Sequence, residues 1–157
     1  MKCFGLIVLF LILGCKTSQT EIPLVKNCPD NGKCEVEVLK TTRLMIPNTN
    51  GDLSEIKFRE DRNFQVVFIK FTDIERGDYV EEIYLQIPSR FKEIHSKNKT
   101  LQNQKVVFGK LCDCQDKGFE RIAQGELMVE NHSDHISLYL EIKSQKTQKI
   151  RVIDLDI

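Results

Sequence analysis

Apolar residues recur at every second position along most of this chain, and that period restricts the fold more than any other feature. The clearest run extends from Ile136 to Ile142, where apolar residues alternate with Ser137, Tyr139 and Glu141. A period of two places apolar side chains on one face of a β-strand and polar side chains on the other. No long segment has apolar residues at helical spacing. The sequence therefore predicts an all-β protein.

Further strands are expected along the rest of the chain, at residues 35–39, 55–59, 83–87, 105–112, 120–130 and 149–157. The run 64–71 differs, because residues 66–69 are all apolar, which predicts a central strand covered on both faces. One helical turn is expected, at 88–96. Turn-forming residues separate the runs, so we expect about eight or nine strands in an antiparallel β-sandwich or barrel.

The first fourteen residues have the composition of an export signal. Lys2 is followed by an apolar stretch and then by a lipobox that ends in Cys15. The stretch is about half as long as the roughly 20 residues of a spanning helix. We therefore expect cleavage before Cys15 and lipidation of its thiol with palmitate-type acyl chains, although Leu13 is larger than usual in a lipobox. An ordinary signal peptide is the alternative, but no small-residue cleavage site follows.

This segment divides the chain into three parts: a signal peptide (1–14), the lipidated cysteine with a short tether (15–27), and a single β domain (28–157). The chain has 23 basic and 23 acidic residues, so its charge predicts no nucleic-acid partner. Contact with the membrane is expected through the lipid anchor alone. Any other partner, protein or small molecule, is left undefined, and no motif indicates a cofactor.

Four further cysteines follow Cys15 in the mature chain: Cys28, Cys34, Cys112 and Cys114. An even number in an exported domain predicts disulfides. The turn sequence at 30–32 predicts a three-residue hairpin loop with Gly32 at positive φ, which would place Cys28 opposite Cys34.

The pairing of these cysteines has more than one solution. Cys112 and Cys114 would lie on one face of an extended strand with their Cα atoms about 7 Å apart, the outer limit for a disulfide. We therefore favour crossed bridges that link the N-terminal hairpin to the 105–114 strand. Local bridges, Cys28–Cys34 and Cys112–Cys114, are the alternative. A four-cysteine metal site fits the spacing poorly, and a redox role for the C-x-C pair is a further possibility.

Other residue types suggest chemistry only weakly. His132 and His135 form an H-x-x-H pair, but on a tight turn between two strands their side chains are expected to diverge, to be solvated and to hold no metal. The intervening Ser133 and Asp134 do not make a catalytic set without a nucleophile elbow. Glu81 and Glu82 fall on opposite faces of a strand, and edge or solvated positions are favoured for them. We assign no catalytic residue and no metal site.

Three sequence blocks carry a resemblance to a known group: CPDNGKC followed by EVEVL, then FGKLCDC, then QGEL. Together they resemble a family of small uncharacterised lipoproteins of Bacteroidota, over most of residues 28–130. The resemblance implies a lipid-anchored protein of the outer membrane. Because residues 16–19 lack the acidic stretch associated with surface export, a periplasmic and a surface-facing position are both open.

The function expected from these features is that of a non-catalytic binding or accessory module of the cell envelope, not an enzyme. A periplasmic thiol–disulfide or hydrolytic enzyme is one alternative. A structural subunit of an envelope complex is another.

Overall fold

The computed structural model describes residues 25–47, 53 and 55–157, and they form an antiparallel β-sandwich. The described strands are β1 (Gly32–Leu39), β2 (Thr42–Met45), β3 (Lys57–Glu60), β4 (Phe64–Asp73), β5 (Val80–Pro88), β6 (Glu93–Lys97), β7 (Val107–Leu111), β8 (Gly118–Arg121), β9 (Gly125–Asn131), β10 (Ile136–Ile142) and β11 (Val152–Asp156). A 3₁₀ helix spans Asn98–Gln104. The all-β prediction is confirmed, with more strands than the eight or nine expected.

Two open sheets form the layers of the sandwich. One has the strand order β1-β4-β5-β7-β8 and the other β11-β10-β9-β6, while β2 and β3 form a separate hairpin. The main core lies between the two sheets. Leu138 and Leu140 of β10 face it, and both are buried. The period-two pattern of β10 was therefore a correct guide to its buried face.

Strand β4, which contains the continuous apolar run at 66–69, is covered on both faces, as predicted. Val67 and Ile69 of β4 are buried in the main core. Val66, on the opposite face, belongs to a second cluster that Leu44 of β2 and Leu53 cover. The β2–β3 hairpin thus acts as a lid over the outer face of this sheet.

Several local expectations were wrong. Residues 120–130 form two strands rather than one, and β9 begins at Gly125, whose φ of +135° favours glycine. A side chain at Gly125 would also overlap the backbone carbonyl of Glu141. The expected helical turn at 88–96 overlaps β6 instead, and the helix follows it. Val25, in the segment that precedes the first disulfide, is buried in the core.

The two ends of the sandwich differ in chemistry, and we call them the disulfide end and the histidine end. The disulfide end contains both cysteine pairs, the loop 143–151 between β10 and β11, and the last residues of β4. The histidine end contains the β9–β10 turn at 131–136, Lys40 just after β1, and Gln65 near the start of β4.

Candidate functional sites

The structure pairs each cysteine with its near neighbour in sequence. Cys28 is bonded to Cys34 with their Cα atoms 5.8 Å apart, and Cys112 is bonded to Cys114 with a Cα separation of 5.3 Å. All four cysteines therefore form disulfides, but the favoured crossed arrangement was wrong and the local alternative is observed.

Strand order is the reason that crossed bridges do not form. Cys34 lies opposite Phe71 of β4, which lies opposite Glu81 of β5, which in turn lies opposite Lys110 of β7. Three strand spacings separate β1 from β7 by roughly 14 Å, about twice the Cα separation that a disulfide tolerates. Strand β7 ends at Leu111, so Cys112 lies in a bend and can approach Cys114.

The turn at Gly32 also differs from the expected hairpin. Gly32 begins β1 and pairs with Asp73 of β4, and its N–H donates to the carbonyl of Pro29 at 3.0 Å. Its φ is not positive. A methyl group here would overlap the ring of Phe71, so the turn requires glycine for space and not for backbone conformation.

Cys15, the signal peptide and most of the tether lie outside the described residues. Lipidation at Cys15 therefore remains a prediction from the sequence. The first described residues run along the edge of the four-stranded sheet, where the N–H of Lys26 donates to the carbonyl of Asp154 at 2.9 Å.

A charged network is buried at the disulfide end, and Glu81 lies at its centre. Glu81 has no exposed surface, contrary to the solvated or edge position expected for it. Its carboxylate accepts from the hydroxyl of Tyr79 at 2.5 Å and from the N–H groups of Lys149 and Ile150 at 2.6 and 2.8 Å. Glu82 points to the other face and accepts from the Tyr84 hydroxyl. The sequence held a signal for this placement, since Glu81 is in phase with the apolar residues that follow it.

Two further carboxylates, those of Asp116 and Asp73, bind residues of the loop 143–151. Asp116 accepts from Lys110 Nζ at 2.6 Å and from the N–H of Thr147 at 2.8 Å. Asp73, which is buried, accepts from Lys149 Nζ and from backbone N–H groups. The hydrogen bond from Lys110 lowers the pKa of Asp116, and that from Lys149 lowers the pKa of Asp73.

Tyr79 connects these pairs. The Nζ atoms of Lys110 and Lys149 lie 5.4 and 5.2 Å from the centre of its ring, within cation–π range. Burial, followed by the hydrogen bond to Glu81, raises the pKa of its hydroxyl. Each charged group in this network has a partner, and together these contacts attach the loop 143–151 to the five-stranded sheet.

The histidine end has the opposite character. His132 and His135 lie on the β9–β10 turn with their rings stacked at a centroid distance of 4.4 Å, and both side chains are exposed. Nδ1 of His135 lies 2.9 Å from Asp134. This hydrogen bond lowers the pKa of Asp134. The turn brings the two imidazoles together, where the sequence predicted that they would diverge.

The contacts of His132 resemble a catalytic triad in composition but not in geometry. Its Nε2 lies 3.1 Å from Ser137 Oγ and 3.7 Å from a carboxylate oxygen of Glu130. In a Ser-His-Asp arrangement one ring nitrogen accepts the serine proton while the other donates to the carboxylate. Here Nε2 faces both the serine and the carboxylate, so the ring cannot accept a proton from Ser137 at one nitrogen while the other donates to Glu130.

A cleft of about 440 Å³ opens beside this turn. Residues distant in sequence line it, among them Lys40, Gln65 and Ser89 on one side and the turn residues on the other. Neither Lys40 nor Gln65 was expected to lie near the histidines. No local signal connects these positions, because only the packing of the two sheets brings them together.

Across residues 25–157, apart from the gaps noted above, no three His, Cys, Asp or Glu side chains are grouped closely enough to hold a metal ion. Over the same residues, no helix has the length and apolar character needed to cross a bilayer.

No family model, curated protein or solved structure matches this chain. The resemblance to small Bacteroidota lipoproteins therefore remains a prediction.

Proposed function

We propose that this protein is a non-catalytic binding module, anchored in the cell envelope by lipid on Cys15, whose binding site is the cleft at the histidine end. The anchor rests on the lipobox alone. The location of the site rests on one observation: the side chains of Lys40 and Gln65 line this cleft and make no hydrogen bond within the described residues. The buried carboxylates at the disulfide end, in contrast, each accept at least two hydrogen bonds from the protein.

The contrast with an enzyme supports this choice. A general acid or base needs an accessible group within hydrogen-bond reach of a substrate proton. The buried carboxylates of Asp73 and Glu81 are already occupied by donors from the protein. His132 uses one nitrogen for both of its polar neighbours. Neither region therefore supports a hydrolytic role.

A thiol–disulfide enzyme is the second candidate. Cys112 and Cys114, which are separated by one residue, form a disulfide in a bend that is partly exposed. Incubation of the native protein with glutathione, followed by alkylation and mass spectrometry, tests it. We expect this disulfide not to react under conditions in which the active-site disulfide of a redox enzyme exchanges with glutathione. Rapid exchange would favour the enzyme.

The anchor is tested by expressing the full-length chain with Cys15→Ser. We expect the variant to move from the membrane fraction to the soluble fraction and the wild type to carry the mass of the acyl chains. Cys3→Ser is the matched control, because Cys3 is removed with the signal and should leave attachment unchanged. A Cys15→Ser protein that still sediments with membranes would refute the anchor.

A further inference from the structure

The cleft at the histidine end has the size of a small-molecule site. Its volume of about 440 Å³ lies within the range of about 300–1,000 Å³ in which ligand pockets are usually found. Residues from both sheets line it, so the fold forms its walls. A rigid scaffold of this kind suits selective binding of a compact ligand.

The lining divides into an apolar part and a polar part. Val38, Ile136 and Ile157 supply apolar surface, and all three are only partly buried. The polar part includes Lys40 and Gln65, whose side chains make no hydrogen bond within the described residues. An apolar surface beside polar groups with spare hydrogen-bonding capacity indicates a ligand that has a polar head and a short apolar body.

The hydrogen bonds of the turn determine which groups remain for that head. An ionised carboxylate only accepts, so the proton between Asp134 and His135 belongs to Nδ1 of the imidazole. Nε2 of His135 then has no proton in the neutral ring and becomes a donor when the ring is charged. Asp134 is thus already paired, while Lys40 is a permanent donor without a partner in the described chain.

The charge of the site depends on pH. The titratable groups that line the cleft or contact its histidines are Lys40, His132, His135, Asp134, Glu130 and, in the 15–157 chain, the terminal carboxylate of Ile157. With neutral imidazoles, the three carboxylates outweigh the single positive charge of Lys40. With both imidazoles protonated, the three cations balance the three carboxylates, and the stacked rings repel each other unless an anion lies close.

We propose that this cleft binds a small organic anion, a carboxylate or phosphate head on a short apolar body, and that Lys40 and His135 contact the head. The apolar body packs on Val38, Ile136 and Ile157. Affinity rises as the pH falls through the range in which histidine gains a proton. This inference rests on the proposed binding function and adds the chemical class of the ligand.

Four probes separate the parts of the inference: hexanoate and hexyl phosphate carry both head and body, acetate lacks the body, and 1-hexanol lacks the charge. The protein is the full mature chain, residues 15–157, with Cys15→Ser so that no acyl chain competes for apolar probes. Binding is followed by NMR of the imidazole C–H signals. The chain has three histidines, and His95 serves as an internal control because it lies on the outer face of the four-stranded sheet, bonded to Glu126.

We expect hexanoate and hexyl phosphate to shift the His132 and His135 signals but not those of His95. Their affinity should be at least fivefold higher at pH 6 than at pH 8 and at least tenfold higher than that of acetate or 1-hexanol. Lys40→Gln should weaken binding at least fivefold, and His135→Gln should remove most of the pH dependence. Lys117→Gln, which removes the same charge from an exposed position at the disulfide end, is the matched control and should bind like the parent.

Other results overturn the proposal. Equal binding of 1-hexanol would mean a purely apolar cleft, and equal binding of acetate an adventitious ion only. Unchanged affinity of Lys40→Gln, or an equal loss in Lys117→Gln, would remove Lys40 from the site. These failures would leave attachment through Cys15 untouched, whereas a failure of the anchor would leave the probe results standing. The two proposals are therefore refuted separately.

Discussion

The two ends of this sandwich contain similar residues in opposite states. At the disulfide end, Asp73, Glu81 and Asp116 each accept at least two hydrogen bonds, and the loop they hold is closed over them. At the histidine end, Lys40 and Gln65 have no side-chain partner within the described residues and face an open cleft. The difference shows that charge alone does not mark a binding site. Partnered, buried charges stabilise the fold, and exposed groups with spare hydrogen-bonding capacity remain available to a ligand.

The largest loss of stability is expected from a substitution at Glu81, in the buried network of the disulfide end. Glu81→Ala leaves two backbone N–H groups without an acceptor and the Tyr79 hydroxyl with only the distant carbonyl of Thr147 at 3.5 Å, which should lower the free energy of unfolding by about 3–5 kcal/mol. Urea denaturation measures the change. Glu82→Ala, one residue along and on the other face, is the control and should cost less than about 1.5 kcal/mol. Equal losses in the two variants would contradict the central role of Glu81.

A smaller loss of stability is expected at Gly32, which lies in the ring closed by the Cys28–Cys34 disulfide. Gly32→Ala places a methyl group in the space of the buried Phe71 ring and should cost about 1–3 kcal/mol, as overpacking usually does. Gly77→Ala is the control, because no atom lies within 4 Å of its added methyl group. Thermal unfolding compares the two. A Gly32→Ala protein as stable as Gly77→Ala would show that the ring moves away freely.

Acid should act on the disulfide end through the same network. The pKa values of Asp73 and Asp116 are lowered in the folded state by Lys149 and Lys110, so folding favours their ionised forms. Their contribution to stability is complete above the unfolded value of about 4 and is lost as the pH falls toward the lower folded values. The urea midpoint should therefore decrease from pH 5 to pH 2. Asp116→Asn should show a shallower decrease, and an identical slope would argue against the Lys110 pair.

The smallest effect on stability is expected at the histidine end. His132→Gln removes an exposed side chain from a turn, so the free energy of unfolding should change by no more than about 0.5 kcal/mol. The same denaturation assay provides the measurement. A loss as large as that of Gly32→Ala would mean that this end, too, is built for stability, and the comparison between the ends would fail.

Sequence patterns predicted some elements well and others poorly, for identifiable reasons. Strand β10 was predicted because its period-two pattern extends over seven residues, and β4 because its apolar run is too dense for a strand with one wet face. Strand β2 has four residues, too few for a period to emerge. The break before Gly125 was missed although the sequence contains a sign of it, since the buried apolar positions change parity between Ile122 and Leu127.

The site residues follow the same division. Glu81 is in phase with the apolar face of β5, so its burial was available from the pattern, although its partners on the loop 143–151 were not. The disulfide pairing was misjudged because the favoured solution assumed that β1 and β7 are neighbours. The cleft was not predicted, since Lys40 and His135 are far apart in sequence and share no motif.

The alternation of apolar and polar residues by itself determined that this protein is built of strands with one buried face, because the direction of a side chain in a strand depends only on its parity along the chain. Cysteine pairing, the partners of Glu81 and the lining of the cleft were decided only by the tertiary structure. They depend on strand order and on how two sheets pack, and these follow from the summed contacts of residues distant in sequence, which no local pattern encodes.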